Sequence, residues 1–131
     1  MEQELTLVQR VLVRATELIK VKENWIKRKA FERVGDDPFA KYCSLGALNK
    51  ATYDTLHMSM KPGGRSPREN ECVSELYDKS VIAFERHVGL TCTSTWNDSP
   101  ERKHEEVVHA FCTAVKKELG DGTDTSTDSN T

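Results

Sequence analysis

Cys43 and the four histidines, His57, His87, His104 and His109, are the residues able to carry nucleophilic chemistry, a thiolate attacking while an imidazole takes its proton. Nothing in their spacing brings an imidazole to that thiol. Cys43 also lies well inside an expected helix and in apolar company, which raises a thiol pKa and leaves a buried, inert sulfur. A metal site is the second chemistry to weigh. His109 and Cys112 share one helix face three residues apart, and His87 and Cys92 flank the end of the preceding helix, so four nitrogen and sulfur ligands exist without a recognised zinc spacing. The acid pairs Asp36 with Asp37 and Glu105 with Glu106 stand near expected helix starts, where the positive end of the helix accounts for carboxylates without catalysis. No cofactor, metal or catalytic residue is therefore assigned.

Two stretches suit binding better than bond making. Trp25, Lys27, Arg28 and Lys29 belong to the most basic segment, residues 20–33, which holds six basic residues against two acids. Basic side chains interleaved with aromatic ones can follow a phosphate backbone and stack on bases. The plainer account has Trp25, Ile26 and Phe31 anchoring an extended connection to the core, with the lysines as its solvated side. Trp96, Asn97 and Asp98 place an aromatic and two polar side chains just before an expected helix, which makes a candidate binding corner. A hydrophobic staple with a cap explains the same three residues.

These groups must be positioned by helices. Apolar residues recur at helical spacing from Leu5 to Val21, with Thr6 and Gln9 able to form a capping box. A central helix is expected to begin at Pro38, capped by Asp36 or Asp37, and to end at Ala51, apolar on more than one side. Gly46 within it implies close approach of another backbone. Residues 52–60 either extend this helix or form a short one, and residues 61–65, KPGGR, break it. Ser66, Pro67 and Glu69 start a long helix that Gly89 stops. Residues 90–96 read as a loop, and Ser99 and Pro100 as the start of a last helix with a stripe through His104, Val108, Phe111, Val115 and Leu119, ended by Gly120. Residues 1–120 thus form one all-α domain, a compact bundle or orthogonal array of about four helices around the central one, with a small α+β variant using residues 25–31 as the alternative. Residues 121–131 have no apolar anchor and are expected to be disordered.

Charged residues make up 31% of the chain and hydrophobic ones 37%, with a net charge of -2, which excludes a strongly basic polyanion binder. Glu4, Arg10, Arg14 and Glu17 interrupt the N-terminal apolar residues, unlike a signal peptide, and no run is long enough to span a membrane. Four scattered cysteines without a CxxC pair suit a reducing compartment. Cytoplasmic location is expected.

Two motifs, Tyr42-Cys43-Ser44-Leu45-Gly46-Ala47-Leu48 and Trp96-Asn97-Asp98-Ser99-Pro100 followed by Glu105-Glu106-Val107-Val108, resemble an uncharacterised family of short actinobacterial and phage proteins, a domain of unknown function. The resemblance spans roughly residues 8–114. The chain departs from it at Glu23-Asn24-Trp25, where a glycine-tryptophan turn is expected, and in the basic run from Lys27 to Lys29. The resemblance implies an accessory protein of a phage or mobile element and supplies no catalytic residue. The expected function is non-enzymatic binding of a protein partner such as a host factor. The alternatives are a Cys43–histidine enzyme and nucleic-acid binding through residues 20–33.

Overall fold

Thr6 and Gln9 make the two reciprocal bonds of a capping box, Gln9 N–H to Thr6 Oγ1 at 3.1 Å and Thr6 N–H to Gln9 Oε1 at 2.8 Å. They start α1 (Leu7–Ile19), which buries Val11, Leu12, Ala15, Leu18 and Ile19 on one face, as the spacing predicts. The computed structural model to which these elements belong describes residues 4–120. After a short 3₁₀ turn, Lys22–Asn24, the chain forms a hairpin of β1 (Phe31–Val34) and β2 (Asp37–Tyr42). Phe31 faces Tyr42, Glu32 faces Lys41 and Val34 faces Asp37, with an irregularity between Glu32 and Val34.

This hairpin corrects the expected central helix. Asp36 and Asp37 are turn and strand residues, not helix caps, and Pro38 lies near the start of a strand, where a missing N–H is tolerated. Gly35, at φ 60°, supplies the left-handed residue that the tight turn needs. Phe31 and Phe39 then meet edge to face at 5.0 Å across the hairpin. The small α+β variant is the one adopted, with its strands at residues 31–42 rather than 25–31. Trp25 contributes a single parallel bridge to Tyr42.

The central helix itself is α2 (Ser44–Thr55), which contacts α1 and β2. Its N-cap is Cys43, whose Sγ accepts the Gly46 N–H at 3.4 Å, so Cys43 sits at the helix start and not in its interior. Gly46 makes the close approach expected of it: a Cβ there would collide with the Ala30 carbonyl oxygen and lie 2.9 Å from Tyr42 Cβ. Residues 52–55 complete α2. The long helix is α3 (Pro67–Val88), with the capping box of Ser66 and Glu69 and a left-handed Gly89 at its end.

The expected loop, residues 90–96, gives way from Thr93 to α4 (Thr93–Asp98). Its cap comes from another helix: Glu85 Oε2 on α3 accepts the Thr93 N–H at 3.0 Å and the Thr93 hydroxyl at 2.8 Å. The last helix, α5 (His104–Gly120), begins at His104 rather than Pro100, because Ser99 and Pro100 are spent on a turn closed by Arg102 N–H to Ser99 O at 2.9 Å. Leu119, assigned to its apolar stripe, is exposed. The core lies between α1, α2, α3 and α5, with the Phe84 and Phe111 rings in tilted contact at 4.4 Å. The protein is mostly helical with one small antiparallel sheet. Among the described residues no helix is long and apolar enough to cross a membrane. Residues 121–131, expected to be disordered, lie outside the described residues.

Candidate functional site

Asn97 is fully buried and every polar atom of its side chain is used. Its Oδ1 accepts the Trp25 indole N–H at 2.8 Å, the Ser44 N–H at 3.0 Å and the Ser44 hydroxyl at 2.6 Å. Its Nδ2 donates to Ile26 O at 3.1 Å and to Asp98 Oδ1 at 3.0 Å. Buried polar atoms need such partners, since each one left bare costs about 1–3 kcal/mol. One amide thus ties the 3₁₀ connection, the start of α2 and the end of α4 together. The two motifs that carry the family resemblance meet here, through Ser44 and Asn97.

The expected binding residues are largely drawn into this junction. Asp98 Oδ1 also accepts the Arg28 N–H at 2.7 Å, holding Arg28 at φ 76°. Lys27 lies 5.5 Å over the Trp25 ring, and its ammonium donates to Ser99 O at 2.8 Å. Lys29 pairs with Glu32 at 3.5 Å. Trp96 is half-buried against Phe84, and the Arg102 guanidinium stacks on it at 4.6 Å while donating to its carbonyl at 2.9 Å.

Cys43 is 6% exposed, and burial pushes its thiol pKa up, with the Gly46 amide pulling it weakly back. That is the environment of a structural sulfur. Of the candidate metal ligands, His87 bonds Glu118 through Nε2 at 2.6 Å, whereas His109 and Cys112 are exposed on α5 and Cys92 is exposed before α4. Among the described residues no group of three or more His, Cys, Asp or Glu is placed to hold a metal ion. Cys92 has a different distinction. Hydrogen bonds from Ser94, at 3.4 Å, and Thr95, at 3.3 Å, lower its pKa to about 7, so an exposed thiol is substantially ionised near neutrality.

Two open grooves flank the first turn of α5. The larger, about 500 Å³, lies between α3 and α5 and is lined by His87, Trp96, Arg102, Glu105, His109 and Lys117 among others. The second, about 440 Å³, is lined by Lys22, Trp25, Lys103, His104 and Glu105. Glu105 belongs to both. His104 donates through Nε2 to Ile19 O at 2.7 Å, and its ring lies 5.9 Å from that of Trp25. Glu106 accepts the Lys103 N–H at 2.9 Å and pairs with Arg102 at 3.3 Å, which hold its carboxyl below the usual range. Sequence reasoning did not single out Arg102, Lys103 or Lys117. The available signal was two cations beside a helix N-terminus, where the helix dipole disfavours positive charge and a reason for them is needed.

The fold and this surface define a small, mostly helical protein with a hairpin inserted before its central helix and a groove-bearing face at the start of its last one. The chain belongs to a family of unknown function (DUF6197), whose family model matches residues 3–117. No curated protein and no solved structure matches it.

Proposed function

We propose that this is a small cytoplasmic accessory protein of a phage or mobile element that acts without catalysis, by binding a protein partner across the first turn of α5. The observation that carries this reading is the pair of grooves sharing Glu105, each containing a tryptophan that holds a cation over its ring. Tryptophan and arginine dominate the energetics of protein interfaces when they are held rigidly. The Asn97 junction holds the Trp25 ring, and Phe84 and Arg102 hold that of Trp96. The mobile-element association draws on the motif resemblance. A reducing compartment suits four cysteines that are all free thiols.

The test is site-specific photocrosslinking in extract of the native host, with a benzophenone side chain at position 109, in the groove, or at position 34, an exposed hairpin position lining neither groove. The expected result is one defined protein adduct from position 109 that disappears with Glu105→Arg. Adducts of equal yield from both positions, or none from position 109, would overturn the proposal.

A further inference from the structure

Resting on that protein-binding reading, we infer that the recess around Trp25 receives an acidic segment of the partner, its carboxylates spanning Lys22 and Lys103 and a side chain lying against the indole. Among the described residues neither Lys22 nor Lys103 makes an ion pair. Lys27, on the same ring, bonds only the neutral carbonyls of Ser99 at 2.8 Å and Pro100 at 3.4 Å, so its charge is not cancelled. Lys22 and Lys103 thus line the recess beside Trp25 against the single carboxylate of Glu105, and the Lys27 ammonium lies 5.5 Å over the same ring. This positive recess sits on a chain of net charge -2. Charge of one sign gathered in a cleft raises the potential that attracts an anion.

A polynucleotide fits less well, because the positive charge does not continue as a track. Lys29 turns to Glu32, Arg33 reaches the Gly35 carbonyl at 3.5 Å, and on the other side Arg102 is paired with Glu106. The indole N–H is committed to Asn97, so a ligand would meet the part of the half-buried ring that Lys27 and His104 do not cover.

The experiment is an amide and indole NMR titration of the full ¹⁵N-labelled chain with the capped peptide GEEYEEG, its neutral counterpart GQQYQQG, and oligothymidylate. The acidic peptide should shift the Trp25 indole and the amides of Lys22, Lys103 and Glu105. Its affinity should fall at least about tenfold in a Lys22→Glu, Lys103→Glu variant, and strongly in about 0.5 M salt. An unchanged thermal melt would show that the variant is folded. Equal shifts from the neutral peptide, tighter binding of oligothymidylate at the same signals, no shift at all, or unaltered binding by the variant would overturn the inference. If the crosslink at position 109 forms while the acidic peptide leaves the recess unmoved, only the acidic-segment inference falls. If the peptide binds and no crosslink forms, the recess keeps its ligand chemistry and the protein-binding reading falls.

Discussion

At Asn97, five hydrogen bonds converge on one buried amide, whereas His109, a short distance along the chain, stands exposed on the edge of an open groove. The first region uses tryptophan, asparagine, aspartate and serine, residue types that suggest a reactive or recognition site. The second uses lysine, histidine and glutamate spread along a helix surface, which resemble solvated filler. The contrast teaches that chemical vocabulary in a short motif can be wholly consumed in fixing the backbone. Surface free for a partner then lies beside the buried amide, with Trp25 and Trp96 on the edge where the two regions meet.

The contrast can be broken most directly at its centre. Asn97→Ala would leave the Trp25 indole and both Ser44 donors without an acceptor, and should cost about 3–5 kcal/mol in urea unfolding. A loss below about 1 kcal/mol would mean that the junction is not what holds these segments. Gly46→Ala pushes a Cβ into the Ala30 carbonyl and should cost about 2–3 kcal/mol, because backbone must move to admit it. The two thiols sharpen the comparison chemically. Iodoacetamide should modify Cys92 with a midpoint near pH 7, thiolate above and thiol below, while buried Cys43 reacts only on unfolding. Ser94→Ala should move the Cys92 midpoint upward, since its hydroxyl is the largest cause of the lowered pKa. Finally, His109→Ala should change stability by no more than about 0.5 kcal/mol, as expected of an exposed position free for binding. A cost comparable to that of Asn97→Ala would erase the distinction between the regions.

The elements legible in the sequence were those whose determinants are local. Thr6 with Gln9, Ser66 with Glu69, and Gly89 each complete their motif within a few residues, and α1 and α3 lie where these motifs put them. The misread elements depend on distant partners. Asp36-Asp37-Pro38 carries the local signature of a helix start, yet Phe31 and the Gly35 turn draw it into a hairpin. The true start of α2 is capped by a cysteine sulfur, an acceptor too weak to feature among the usual capping residues. The start of α4 is capped by Glu85, from a different helix. The same holds for the site. Trp25 and Asn97 could each be singled out, but not the bond between them, and Arg102 and Lys103 acquire interest only once the grooves beside them are formed.

That bond bears on the order in which the molecule assembles. Trp25 and Asn97 are 72 residues apart, and Ser44 and Asn97 are 53 apart, so neither contact gains anything until α3 has crossed the molecule and carried α4 back to the hairpin side. Closing such long loops costs entropy that local helices do not meet, which places the junction after α1, α2 and α3 in folding. Asn97→Ala should accordingly leave the refolding rate nearly unchanged and put its whole destabilisation into faster unfolding. The amide would then act as a latch, setting how long the native fold persists.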